Sequence, residues 1–305
     1  MLQIFKNTKY DFLCHSKKAQ VVVIGFMVVS LVMLVINGGF NMSIDFVGGT
    51  TMHMKFEQPV RDDLTAIRSS VGALDFGQPE IKSIGLADNN ELQITVRSQP
   101  EGVDVVGAVR GALAGSLPGN DFEMLAIEHV GPKIGSELTR DAIIASILAL
   151  MAILLYIGLR FKLSYAVASV IPLGVNVLIM LGVFAIFELE LTLPFLAAVL
   201  TVIGYALNDS IVVFDRVREN LKSGLRGGKK FYDVINASIN QTLARTIVTS
   251  VTTLFTVGAL YILGSDSIKN FALVMGLGII IGTLSTIYIA APLLVRWHNK
   301  WPIVK

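Results

Sequence analysis

Residues 191–214 read LTLPFLAAVLTVIGYALNDSIVVF, an apolar run that carries a single charge, Asp209. A bilayer hydrocarbon core about 30 Å thick is crossed by roughly 20 apolar helical residues. The run is therefore long enough to span, and its carboxylate falls inside. Charge resumes at Asp215-Arg216-Val217-Arg218-Glu219. At ~1.5 Å of rise per residue, Asp209 lies about 9 Å inside that boundary. A charge at mid-bilayer costs at least ~2.5–3.5 kcal/mol on insertion scales and marks a functional residue by default.

Five further windows of the same kind lie at 19–40, 142–159, 163–187, 243–263 and 270–295. They account for a composition that is 53% hydrophobic and 16% charged, with a mean hydropathy of +0.66. A soluble domain averages about 25% charged residues. The window at 19–40 is too long for the apolar part of a signal peptide, and Gly38-Gly39-Phe40-Asn41 makes a poor cleavage site. It is expected to be retained as the first span.

Lys and Arg placement orients the chain. The tail 1–18, the turn at 160–162, the loop 215–242 and the tail 296–305 hold fifteen Lys and Arg residues. The turns on the other side, near Glu188–Glu190 and Asp266, hold only Lys269. Both termini are therefore expected in the cytoplasm and residues 41–139 on the other side of the membrane.

Segment 41–139 is acidic, with fourteen Asp and Glu against seven Lys and Arg. Thr50–Glu57, Glu80–Leu86, Glu91–Ser98 and Asp121–Val130 alternate as strands do. Val60–Leu74 and Val103–Leu117 have helical spacing, and Ala87-Asp88-Asn89-Asn90 is a hairpin turn. The order β-α-β-β-α-β is that of a ferredoxin-like split unit. The fold class is thus a polytopic α-helical membrane protein of six transmembrane helices, with a ferredoxin-like α+β domain between the first two.

A second buried charge, Arg245, lies near the start of the window at 243–263. That window and 191–214 run antiparallel and share the basic loop, so the two charges sit at similar depth and pairing is expected, since an unpartnered buried charge is heavily penalised. Thr242, Arg245, Thr246, Thr249, Thr253 and Thr256 recur at helical spacing. Together with Asn208 they form a polar intramembrane stripe that should face a neighbouring helix or water. Gly276, Gly278 and Gly282 include a small-xxx-small pair suited to close helix approach. Pro172 and Pro194 read as tolerated kinks.

Enzymatic chemistry has no support. There is no G-x-S-x-G, H-E-x-x-H or Walker A pattern, so no catalytic residue, cofactor or metal is assigned. His53 and His129 are isolated in strands, without ligand spacing. Cys14, the single cysteine, reads as an inert thiol.

Four stretches carry a family resemblance: Ser43-Ile-Asp-Phe-Val-Gly-Gly-Thr, Val130-Gly-Pro-Lys-Ile-Gly-Ser-Glu-Leu, the run from Gly204 through Asp209 to Asn220, and Ser238 through Arg245 to Thr253. In this order and topology the chain resembles the SecF family of the bacterial Sec protein-export machinery, over nearly its whole length. The resemblance implies motif residues at Asp45, Gly48, Gly49, Gly131, Pro132 and Gly135, and proton-coupling residues at Asp209 and Arg245. It implies SecD as the second half of a heteromeric complex and association with the SecYEG channel, with SecA and accessory subunits nearby. It also implies a preprotein substrate, membrane lipid around the spans and no nucleic acid. The family is related to the resistance-nodulation-division transporters, which usually join two such halves.

Three readings remain open on the residues. One is an export subunit that uses the proton-motive force after the ATP-driven step. Another is a half-size proton-coupled exporter of small molecules. The third is a scaffold held by a static Asp209–Arg245 pair.

Overall fold

Among the described residues six helices are long and apolar enough to cross a membrane, and α1 (Ser16–Ile36) is the first of them. The computed structural model describes residues 8–60, 63–77, 79–84, 90–100, 102–160, 163–224 and 230–302. The hairpin turn at 87–89, the end of the strand expected to reach 86, and the basic residues Lys6, Lys162, Arg226, Lys229 and Lys305 lie outside these. The chain divides into two compact units, Met1–Asn41 with Ala145–Lys305, and Met42–Ile144.

The Met42–Ile144 unit opens with a short helix, α2 (Ile44–Val47), whose first turn is capped by the Ser43 hydroxyl accepting from the Asp45 N–H. Then follow β1 (Gly49–Phe56), α3 (Leu64–Gly72), β2 (Glu80–Ile84), β3 (Glu91–Arg97), α4 (Val105–Ser116) and β4 (Phe122–Val130). The sheet order is β2-β3-β1-β4, antiparallel throughout. This is the strand order of a split β-α-β unit.

Alternation explains the packing. Met52, Met54 and Phe56 of β1 and Leu92, Ile94 and Val96 of β3 point to one face, where Ile67 and Val71 of α3 and Val109 and Leu113 of α4 cover them. On the opposite face Thr51 and Thr95 pair hydroxyls at 3.0 Å. His129 Nδ1 lies 2.8 Å from Thr50 Oγ1, a strand-to-strand contact.

The two motifs that flank the sheet in sequence meet in space. Gly48 and Gly49 adopt φ of 74° and 155°, a region that favours glycine. A side chain on Gly48 would reach Pro132 Cα at 3.1 Å, and one on Gly135 would reach the Gly48 N and Phe46 O at 3.0 Å. Thr139 Oγ1 also donates to Phe46 O, at 3.3 Å. Gly48 and the Phe46 carbonyl thus sit against the first turns of α5 (Pro132–Arg160), whose start carries Gly131, Pro132 and Gly135, whereas Gly49 packs against Val96 of β3 and Ile44, and Asp45 lies in the first turn of α2.

In the other unit, α6 (Leu163–Ile186), α7 (Leu193–Gly224), α8 (Phe231–Leu263) and α9 (Asp266–Ser285) pack together with α1. Helix α9 runs through one π-helical turn, Thr286–Ala290, into α10 (Ala291–Lys300). Helix α5 is bare along most of its length. Ile157 is buried near its end, where Arg160 lies 3.8 Å from Asp215.

Several boundaries differ from the sequence reading. The segment 215–242 is assigned as a loop whose Asp215–Asn220 run reads as a solvated helical extension; α7 does continue, as far as Gly224, and α8 already starts at Phe231. Hydropathy marks where the apolar face ends, not where the backbone hydrogen bonds end. Pro194 does not kink a span. It is the second residue of α7, in the first turn, where a missing N–H costs nothing.

Pro292, unremarked in the sequence, matters more. A proline cannot donate to the carbonyl four residues back, here Tyr288. That carbonyl instead accepts from Gln20 Nε2 of α1 at 3.0 Å, and Gln20 Oε1 accepts from Arg296 at 2.6 Å.

The segment ahead of α1 is strapped along α8 by two asparagines one turn apart. Asn240 accepts from the Tyr10 N–H at 3.0 Å and donates to the Tyr10 carbonyl at 2.9 Å. Asn236 donates to the same carbonyl at 2.9 Å and accepts from the Phe12 N–H at 3.0 Å. Tyr232 adds a hydroxyl bond to Asp11 at 2.6 Å.

Candidate functional site

Small residues bring α7 and α9 close enough to build a polar layer between them. A side chain on Gly278 would collide with Val202, and one on Gly282 would meet Ala206 Cβ at 2.9 Å. The glycine pair expected for close packing therefore faces Val202 and Ala206, which are also four residues apart. One turn further along each helix the chemistry changes. Ser210 and Thr286 pair hydroxyls at 3.0 Å, at the start of the π-helical turn. Thr286 Oγ1 also donates to the Gly282 carbonyl at 3.1 Å.

Asp209 sits beside this pair and is 8% exposed. Thr246 Oγ1 of α8 donates to Asp209 Oδ1 at 2.7 Å. The other oxygen, Oδ2, is buried without a hydrogen-bond partner. The expected Asp209–Arg245 ion pair is not formed within 4.0 Å among the described residues. Arg245 is exposed, one residue from Thr246 and so about 100° around α8. Depth matched the two residues, but azimuth separates them.

The polar stripe also divides by azimuth. Thr242, Thr246 and Ser250 recur every four residues and are buried. Thr242 returns its hydroxyl to the Ser238 and Ile239 carbonyls. Ser250, absent from the expected stripe, pairs with Thr283 of α9 at 2.9 Å and accepts from the Tyr205 hydroxyl at 3.4 Å. Thr249 is exposed and donates to the Arg245 carbonyl, Thr253 to the Thr249 carbonyl, and Asn208 is exposed on α7.

Asn176 of α6 was also missed, for a lone asparagine in an apolar run lacks the penalty that draws attention to a charge. It is 1% exposed, and neither side-chain atom has a hydrogen-bond partner.

Toward the end of the bundle that carries Arg216, a second network joins α7 to α8. Arg216 Nε donates to Gln241 Oε1 at 2.6 Å and its Nη1 to Glu219 at 2.6 Å. Asn220 Nδ2 donates to Ser238 Oγ and to Gln241 Oε1, each at 2.8 Å. A hydroxyl-lined carboxylate with an unused oxygen can hold a proton, or release one, without dismantling the helices around it. No cluster of three or more His, Cys, Asp or Glu able to hold a metal occurs among the described residues.

The chain matches two family profiles. "Protein export membrane protein SecD/SecF, C-terminal" covers residues 113–300, and "SecD/SecF GG Motif" covers residues 34–60. The second contains the Gly48–Gly49 pair, of which Gly48 meets α5. The chain is 35% identical to the protein translocase subunit SecF of Gemmatimonas aurantiaca, over 99% of this chain and 91% of that one. It is 39% identical to that of Vibrio alginolyticus, over 97% and 92%. Among solved structures it resembles SecDF, a translocon-associated membrane protein from Thermus thermophilus, with a TM-score of 0.84 and 32% identity. That likeness covers 98% of this chain and 40% of the solved one, so the chain spans about two fifths of that protein. On this similarity across nearly all its length, the chain belongs to the SecF family of protein translocase subunits.

Proposed function

We propose that the chain is the SecF half of a two-part export unit in the bacterial inner membrane, with both termini cytoplasmic and the Met42–Ile144 unit on the periplasmic side. With SecD, it uses the proton-motive force at Asp209 to help complete preprotein movement through the SecYEG channel, after the ATP-driven step of SecA. The observation that carries this reading is the buried Asp209, with one oxygen held by Thr246 and the other unused. A lone intramembrane carboxylate is costly and persists where it serves a path for ions. Each charge that crosses the membrane releases ~2.3 kcal/mol per 100 mV. A few protons therefore suffice to bias a domain orientation.

The need for a second half is supported by the exposed polar residues on α7 and α8, Asn208, Arg245 and Thr249. A guanidinium facing lipid tails is unfavourable, and a partner helix would cover it.

Asp209→Asn keeps the size and the hydrogen bond from Thr246 but removes the titrating group. In inverted membrane vesicles we expect normal complex assembly with the loss of gradient-dependent export. Export that still responds to an imposed gradient would sink the mechanism. Substrate-dependent proton flux in the absence of preprotein would instead favour a small-molecule exporter.

A further inference from the structure

Among the described residues of the bundle, Asn176 is the least satisfied polar side chain. Both its amide atoms are buried without partners, and so is Asp209 Oδ2. The large majority of buried side-chain polar atoms in folded proteins are paired, and each exception calls for an explanation. These exceptions lie close together. Asn176 Nδ2 is 3.8 Å from the point where a Gly282 side chain would begin, and Ala206 Cβ is 2.9 Å from that point. Asn176 therefore lies where α6, α7 and α9 cross, at the level of Ala206. Asp209 is three residues from Ala206, on the same face of α7, and a rise of three residues is only ~4.5 Å.

We propose that Asn176 is the second partner of Asp209 and positions it from α6, as Thr246 does from α8. The bond forms directly after a change of Asp209 rotamer or through one water. This role rests on Asp209 being the coupling carboxylate. An asparagine suits the role because its amide offers both an N–H donor and a carbonyl acceptor. The N–H serves the ionised carboxylate, and the carbonyl accepts from the protonated acid. A hydroxyl such as Thr246 donates to the carboxylate already. The amide on the other side then follows the proton without a new side chain entering the layer.

A double-mutant cycle on the complex purified from membranes tests this. Asn176→Ala and Asp209→Ala each lower the melting temperature. If they are partners, the double variant melts close to the worse single variant, because contacting residues are non-additive. The control cycle pairs Asn176→Ala with Ser210→Ala, whose hydroxyl is engaged by Thr286, and its losses should add. The proposal falls if the Asn176 and Asp209 losses add, or if the control couples as strongly, which would mean shared packing alone. Should Asn176→Ala give no complex, Asn176→Leu enters the same cycles with the same expectations. Coupled melting alongside a gradient-responsive Asp209→Asn would overturn the function proposed for Asp209 and leave the pairing intact. Additive melting alongside a dead Asp209→Asn would do the reverse.

Discussion

At the scale of the residue, Asp209 shows how little holds a carboxylate inside this bundle. One hydroxyl reaches it at 2.7 Å, and no cation lies within ion-pair distance among the described residues. We expect Thr246→Val, equal in size but without the hydroxyl, to destabilise the purified complex by about 1–3 kcal/mol, the cost of leaving a buried acceptor unmade. Thr246→Ser should recover most of that loss. Thermal denaturation in detergent reads both, and equal stability of the Val and Ser variants would show that the bond carries nothing. Sequence reading found Asp209 because a charge in an apolar run is conspicuous. It paired the residue wrongly because depth can be counted along a helix, whereas azimuth depends on how the helix rolls against its neighbours. Thr246 stood in the expected stripe, yet nothing in the string distinguished it from Thr249 one turn away.

At the scale of the element, the α7–α9 crossing fixes where the site can be. Gly278 and Gly282 admit Val202 and Ala206, and the hydroxyl pair Ser210–Thr286 follows one turn later. Gly278→Leu should push the helices apart. We expect a loss of at least about 1–3 kcal/mol, as for other overpacked interiors, together with a drop in export, because Asp209 moves with α7. Gly276→Ala should be tolerated, since a side chain there begins 3.6 Å from Val257 Cγ1. Export and melting temperature separate the two variants, and comparable damage from both would contradict the crossing. The spacing of these glycines was legible from sequence, and so were the strand order and helices of the Met42–Ile144 unit. The interruption near Tyr288 was not, because a proline near a helix end and a glutamine 268 positions earlier become related only in space.

At the scale of the whole molecule, the exposed polar residues of α7 and α8 argue that the chain is made to be joined. In mild detergent we expect it to co-purify with a SecD-type six-span partner. Expressed alone, it should be degraded faster in pulse-chase labelling. Equal half-lives with and without the partner would mean that Arg245 and Asn208 are tolerated against lipid. The six-span layout was readable because runs of ~20 apolar residues have one physical use. The contact between Gly48 and the start of α5 was not, because residues more than eighty positions apart show no periodicity that links them.

The asparagine strap carries a consequence in time. Tyr10 and its partner Asn240 are 230 residues apart. At ~5–20 residues per second, roughly 12–46 s of synthesis separate them. For that interval the Tyr10 N–H and carbonyl and the Phe12 N–H wait in water while the ribosome works through the outer unit and four spans. The clasp shuts only after α8 has arrived, so a segment made before the first span is among the last to find its place. A chain that stops before Asn236 leaves the segment ahead of α1 unfastened, and the cell is given a local mark by which unfinished copies differ from finished ones.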